Sequence, residues 1–421
     1  MSREDGGGMG RFVNPDNSAF RVTLNSKIYV DKTELLEYTN SVLDTMDAYI
    51  CNSRPRRFGK SITANMLTAY YSKGCDSEEM FAPLAIGKKN DFRKHLNRYD
   101  VIHIDIQWFL SNVNKLDHIV EYITDVILAE LRECYPEIIT TGVVTLPDAL
   151  SRIKNATGQK FIVIIDEWDV LIRDEAANVR VQNEYISFLQ GMFKETEPTK
   201  YIQLAYLTGI LPIKKEKKQS ALNNFDEFTM LEASNLAPYI GFTEEEVRDL
   251  CETYQKDFEK VKRWYDGYLL EDTAVYNPKA VVSVMQKSKF RSYWSETGSY
   301  EAIVPLINMD FDGLKTALIE MLSGTSVKLN TATFTNDTVN FKNRDDVLTY
   351  LIHLGYLSYN QDERTAFVPN EEIRQELTMA VECNKWNEFV EFQKQSEELL
   401  NATLDMDCSK VAEQIEKIHT E

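Results

Sequence analysis

The sequence predicts an α/β domain, a parallel sheet with helices on both faces, followed by a mainly helical segment and a small helix-and-hairpin unit. Three observations predict it. Short apolar runs alternate with amphipathic stretches between residues 48 and 209. One of these runs, Phe161-Ile162-Val163-Ile164-Ile165, is apolar at five consecutive positions, as a strand buried on both faces of a parallel sheet should be. After about residue 235 the spacing becomes helical, and beyond Gly355 two strand-like runs flank a polar turn.

A chain of 421 residues is long for one domain, so two or three are expected. The pattern divides it into a flexible leader at 1–20, an α/β core at 21–235, a helical lid at 236–305, a winged-helix-like unit at 306–385 and a helical acidic tail at 386–421. Within the leader, Met1 to Gly8 is polar and Gly-rich. With 43% apolar and 27% charged residues the composition is that of a soluble globular protein. The net charge of -19 argues against a broad basic surface for nucleic acid, which needs clustered Lys and Arg. Six scattered cysteines show no C-x-x-C pair, which argues for free thiols in a reducing cytoplasm rather than zinc or redox chemistry. The five histidines form no ligand-spaced group. No apolar run approaches a membrane span and the N-terminus lacks a signal-peptide core, so no membrane partner is expected.

Taken in order, Lys27 to Thr33 reads as a short strand-like piece, with Asp31 or Thr33 capping a helix through Glu34, Leu35, Leu36 and Tyr38. Ala48-Tyr49-Ile50-Cys51 reads as a strand. Ile62, Met66, Leu67 and Tyr70 recur at helical spacing after it. Val101 to Ile106 is a second strand, followed by a helix from about Leu116 to Cys134 and another over Pro147 to Ile153. Lys160 to Glu167 carries the third strand, Val179 to Phe193 a helix, and Tyr201 to Leu207 a fourth strand ending at Thr208-Gly209. Thr243 and Glu246 have the spacing of a capping box. Asp345 to Leu354 reads as a helix before the hairpin Tyr356–Tyr359 and Thr365–Pro369.

The chemistry concentrates between the first strand and its helix. Ser53-Arg54-Pro55-Arg56-Arg57-Phe58-Gly59-Lys60-Ser61 has the ending of a phosphate-binding loop, with Arg54 where the first Gly of the usual pattern stands. In that reading the backbone N–H groups from Arg56 through Arg57, Phe58, Gly59, Lys60 and Ser61 to Ile62 cradle the phosphates of ATP at a helix N-terminus. Lys60 places its cation on the β- and γ-phosphates, and Ser61 holds Mg²⁺. Asp166-Glu167, at a strand tip about a hundred residues on, fits the second motif of such sites. Asp166 would reach Mg²⁺ and Glu167 would orient or deprotonate the attacking water. Thr208, at the tip of the next strand, either lies beside the γ-phosphate or caps the following turn. Asp105 is a similar candidate, ranked below Thr208 because it sits before the end of its apolar run. Arg54, Arg56 and Arg57 either contact phosphates, pair with acids of the lid, or reach nucleotide on another subunit. The Lys214-Lys215-Glu216-Lys217-Lys218 run is either a solvated loop or a source of a trans-acting cation.

Several strings carry a family resemblance: Tyr29-Val30-Asp31-Lys32-Thr33, the loop Ser53 to Ser61, Ile164-Ile165-Asp166-Glu167-Trp168-Asp169, Leu207-Thr208-Gly209 and Trp264-Tyr265-Asp266-Gly267-Tyr268. Gly241-Phe242-Thr243-Glu244-Glu245 and Tyr293-Trp294 fit as well. Together they resemble the bacterial AAA-ATPase-like family, whose members often carry a C-terminal PD-(D/E)XK nuclease-like domain. The resemblance covers nearly the whole chain from Gly10 and includes Arg54, which looks like the family's own version of the loop. It implies a P-loop NTPase core, a helical lid and a winged-helix-like segment. The C-terminal third shows no strand-borne Asp followed by Glu-x-Lys, so nuclease activity is not carried over. The reading is an ATP-binding, slow Mg²⁺-dependent ATPase that acts as a conformational switch, with a homo-oligomer or protein partner. Its rivals are a binding and assembly module with a degenerate nucleotide site, and the ATPase subunit of a nuclease-linked system.

Overall fold

The computed structural model of the chain describes residues 10–174, 177–194, 196–213, 215–216, 219–220, 222–294, 303–309, 311–335, 341–383, 399–400, 402–404 and 406–420. The Gly-rich leader Met1 to Gly8 and most of the tail from 386 to 398 lie outside these residues.

Five strands form the central sheet: β1 (Tyr49–Ser53), β2 (Asp100–Asp105), β3 (Phe161–Asp166), β4 (Ile202–Gly209) and β5 (Asp226–Phe228). Their order is β2-β3-β4-β1-β5 and every neighbouring pair is parallel. The four expected strands are all present, each within a few residues of its apolar run. β5 was not expected, because Asp226-Glu227-Phe228 has two acids and no apolar run. It forms at the sheet edge, where Asp226 stays exposed while Phe228 is buried.

Parallel pairing requires crossovers, and helices supply them. α1 (Ser18–Leu24) and α2 (Leu35–Val42) precede β1, and the helices between the strands are α3 (Lys60–Tyr71), α4 (Ile106–Asn112), α5 (Ile119–Cys134), α6 (Leu146–Thr157), α7 (Val170–Arg173) and α8 (Val179–Phe193), with single turns at Glu78–Phe81 and Phe92–His95. α3 is fixed to the sheet by the Thr68 hydroxyl and His103 Nδ1, 2.9 Å apart. Burial pushes the His103 ring down to about 4, so it stays neutral. The segment Lys27 to Thr33 is not a strand. It runs irregularly, and Asp31 does not cap α2. Its carboxylate instead accepts from the Thr33 N–H and hydroxyl and from the Ala85 N–H, so the local turn wins over the cap.

The segment read as a helical lid carries a sheet as well. β6 (Phe242–Thr243), β8 (Thr273–Tyr276) and β7 (Tyr268–Leu270) make an antiparallel sheet beside α9 (Glu244–Thr253), α10 (Phe258–Tyr265) and α11 (Pro278–Lys287). Tyr268 and Leu270 are buried while Leu269 is exposed, a period of two that favours a strand over a helix. The Thr243–Glu246 capping box forms as expected. Beyond it, α12 (Leu314–Leu322), α13 (Arg344–Leu354) and α14 (Glu371–Cys383) pack on a second antiparallel sheet. Its order is β9 (Val327–Lys328), β11 (Thr365–Phe367), β10 (Ser358–Asn360). α15 (Cys408–Thr420) ends the described chain.

Candidate functional site

The loop between β1 and α3 combines two unusual backbone positions. Gly59, the N-cap of α3, has φ +95°, and Arg57 has φ +70°. A Cβ at Gly59 would meet no atom within 4 Å, so its requirement for glycine is the left-handed backbone alone. The turn delivers the first amides of α3, which have no partner within the helix, to one point at the positive end of a 12-residue helix.

The loop's large side chains point away from that turn. Arg54 is fully buried, and its Nη1 donates to the carbonyls of Ser53 (2.9 Å), Phe228 (3.2 Å) and Thr229 (3.3 Å). Burial lowers its pKa to about 10. The residue that replaces the usual Gly therefore ties the loop to the end of β5. Arg57 Nη1 donates to the Tyr293 carbonyl at 3.3 Å. Phe58 is buried with its ring edge-on to Tyr268, 5.4 Å between centroids. A Cβ on Gly355 would lie 2.8 Å from Pro55. Arg56 is exposed. Of the three uses weighed for the arginines, Arg54 takes none, because its Nη1 bonds backbone carbonyls beneath the loop.

Lys60 is buried, with Nζ donating to the Pro55 carbonyl at 2.9 Å, across the mouth of the turn. Burial lowers its pKa, opposed by the charges of Glu167, Asp169 and Asp166. Ser61 lies near Asp166, and the two line a common cavity. Burial pushes Asp166 up to about 6, the Ser61 hydroxyl opposing it and the Glu167 charge adding to it. Glu167 follows at φ +51° and bonds Arg173 Nη2 at 2.8 Å. Thr208 stands opposite Asp166 on the neighbouring strand, fully buried, its hydroxyl without a hydrogen-bond partner among the described residues. Asp105 stands opposite Asp166 on the other side and caps α4 through the Trp108 N–H. Of the expected site residues, Arg57, Phe58, Gly59, Lys60, Ser61, Ile62 and Glu167 line one cavity of about 520 Å³. Asp166 borders it through Ser61. Arg56 and Thr208 do not line it.

Residues 19–217 match the family model described as Predicted AAA-ATPase (AAA-ATPase_like). Over that stretch, somewhat under half of the chain, the sequence is similar to the predicted AAA-ATPase family. It is also similar to an uncharacterized protein in the vnfD 5′ region of Azotobacter chroococcum mcd 1, 27% identical over 292 residues. That match covers 66% of this chain and 52% of the relative, so the chain spans about half the length of the curated protein it matches. Two solved structures align loosely. The Aeropyrum pernix ORC2 protein (ADPNP–ADP complexes) gives 12% identity and a TM-score of 0.34, covering 87% of this chain and 93% of that one. The Aeropyrum pernix ORC1 protein in complex with DNA gives 10% and 0.26, covering 89% and 97%. Alignments this loose carry nothing about shared chemistry.

Most of the rest of the cavity comes from two places that motif reading did not assign to the site. The irregular stretch before α2 supplies Ile28, Tyr29, Val30 and Lys32, and the 239–286 region supplies Tyr239, Phe242, Pro278 and Val282. Lys32 joins these two walls, donating to Glu246 Oε1 (2.6 Å) and to the Pro238 carbonyl (2.7 Å). The only sequence signal was the resemblance of Tyr29 to Thr33 and Gly241 to Glu245 to family strings. Their meeting at one cavity is a tertiary fact. A second cavity of about 660 Å³ lies across Ser61, lined by Asp105, His103, Trp108, Arg11 and Asp166 among others. Among the described residues no group of three His, Cys, Asp or Glu side chains could hold a metal by itself. The hydroxyl–carboxylate pair of Ser61 and Asp166 fits a hard cation that takes its remaining ligands from phosphate and water. Of the Lys214 to Lys218 run, Lys215-Glu216 pairs with Gln219-Ser220 and the remaining lysines lie outside the described residues.

Proposed function

We propose that the chain binds ATP with Mg²⁺ in the 520 Å³ cavity and hydrolyses it slowly, using the reaction to shift the segments packed on the loop. The observation that carries this reading is the burial of Arg54 beneath the loop, which keeps its guanidinium out of the turn at Gly59 and Lys60. Lys60 and the amides from Arg56 to Ile62 bind the triphosphate. Ser61 and Asp166 hold the cation, which neutralises charge on the β- and γ-phosphate oxygens when bound. The apolar wall of Ile28, Tyr29, Val30, Phe242 and Val282 takes the base. Water attacks the γ-phosphorus, the bond to the β–γ bridging oxygen breaks, and ADP leaves with that electron pair. Glu167 accepts the water proton, and Thr208 supports the strand tip beside the γ-phosphate. Pro55, Arg57 and Phe58 give the switch its route, since they rest on Gly355, Tyr293 and Tyr268. The unit at 306–385, read as winged-helix-like, would be the part that moves.

A second reading has one observation in its favour. Glu167 is engaged by Arg173, which suits a module that holds ATP without turning it over. Calorimetry with Mg²⁺-ATP and a phosphate-release assay test both. Lys60→Ala should weaken ATP binding by at least about tenfold, and Glu167→Gln should bind ATP but not hydrolyse it. Equal turnover in both variants and the wild type removes the ATPase assignment. Binding without turnover in the wild type selects the module.

A further inference from the structure

We propose that Arg173 is a positioning residue that holds the Glu167 carboxylate back from the attacking water, and that docking of the Arg344–Leu354 helix on the β4 exit sets how firmly it does so. The inference rests on the ATPase reading above.

The argument starts from which groups can move. Asp169 is fully buried, and its Oδ2 accepts from the Ile210 N–H (3.1 Å) and the Leu211 N–H (2.8 Å). Arg173 Nε donates to the same oxygen at 2.8 Å, and its side chain is 10% exposed. The guanidinium is therefore pinned by a carboxylate that is itself pinned to the backbone leaving β4. Its other arm, Nη2, reaches Glu167 Oε2 at 2.8 Å. Glu167 is 25% exposed and lines the cavity, so it is the mobile member of the triad. A planar fork reaches its two carboxylates through separate nitrogens at fixed directions, a geometry that the single nitrogen of a lysine does not reproduce. While the pair is closed, the carboxylate oxygen facing Arg173 is unavailable as a proton acceptor.

The same anchor faces the C-terminal segment. Ile210 and Leu211, whose amides hold Asp169, pack in one apolar cluster with Phe334 and Tyr350. Arg173 and Asp169 also act electrostatically on the Tyr350 phenol. Displacing α13 from this cluster loosens the Ile210-Leu211 backbone, then Asp169, then the arm on Glu167. Each link is a direct contact, and none requires movement of the P-loop.

The test uses the full chain, with ATP affinity and single-turnover hydrolysis measured separately. Arg173→Lys keeps a cation beside Asp169 and loses the second arm. It should raise the hydrolysis rate by about tenfold, the equivalent of about 1.4 kcal/mol, and leave the ATP Kd within about threefold. Adding Glu167→Gln should erase the gain. Tyr350→Ala, which leaves the triad's residues intact, should raise the rate in the same direction. A rate in Arg173→Lys that is unchanged or lower, with ATP still bound, overturns the inference and marks Arg173 as a catalytic or purely structural group. Should Arg173→Lys fail to fold, the Tyr350→Ala rate decides alone, and no increase there is likewise fatal. A wild-type chain that does not bind ATP removes the parent reading, and the inference with it.

Discussion

Arg54→Ala separates two roles for the residue that stands in place of the loop's first glycine. The guanidinium is fully buried with no carboxylate paired to it among the described residues, and its Nη1 offers two hydrogens to three carbonyls. Nε and Nη2 have no hydrogen-bond partner among the described residues. Bonds from a charged donor at the lower end of their usual worth amount to about 4 kcal/mol here. Against this stands the cost of keeping the cation out of water. The fall of its pKa to about 10 corresponds to about 3 kcal/mol. The polar balance is therefore small, about 1 kcal/mol. Removing the buried stem and leaving a cavity adds about 2–3 kcal/mol. The expected loss is about 3–4 kcal/mol for Arg54→Ala, seen as a thermal midpoint lower by about 5 °C or more. Arg54→Met, which keeps most of the volume and discards the charge, should lose no more than about 1–2 kcal/mol. Below the transition, calorimetry should find ATP affinity within about threefold of wild type in both variants. An unaltered midpoint together with a more than tenfold loss of affinity refutes the reasoning, because the guanidinium would then be serving phosphates rather than the β5 end.

Two further predictions concern the strand tip and the loop's outer contact. Burial raises Asp166 to about 6 from an ordinary carboxylate value, so its contribution to stability is present below about pH 4 and is lost as pH rises through about 6. Asp166→Asn should therefore stabilise the fold at pH 8 by up to about 3 kcal/mol, read as a higher thermal midpoint, and leave it nearly unchanged at pH 4, while Mg²⁺-dependent turnover disappears. An equal shift at both pH values would rule out burial as the cause. Gly355→Ala places a Cβ 2.8 Å from Pro55 and from the Trp294 ring at a residue with φ +87°. It should cost about 1–3 kcal/mol and weaken ATP binding through the displaced loop. Titration of the variant with ATP checks this, and an unchanged Kd would show that the loop and the C-terminal segment are not coupled.

Much of the core was legible because its signals are local. The run Phe161 to Ile165 could only be a strand buried on both faces, and Gly59-Lys60-Ser61 between a strand and a helix could only open a helix N-terminus onto a turn. Thr243 and Glu246 cap their helix by a spacing that needs no tertiary partner. β5 escaped notice because an edge strand buries one side chain in three, too little for an apolar pattern. The hairpin Tyr268–Tyr276 escaped because its alternating burial is short and lies between two helices.

The chemical types present at the site were determined by the sequence alone: a lysine and a serine at a helix start, and two acids at a strand tip. Their spacing along the chain fixes secondary structure, and secondary structure fixes which end of each element they occupy. What only the tertiary structure decided is where the long side chains go. Arg54 turns under the loop because two carbonyls at the end of β5, with that of Ser53, lie there. Glu167 meets Arg173 because Asp169, held by two amides beyond β4, fixes the guanidinium in reach. A flexible charged side chain takes its partner from whatever the fold brings near. Those partners lie about 174 residues away in one case and are set by the exit of a different strand in the other, so no local pattern records them.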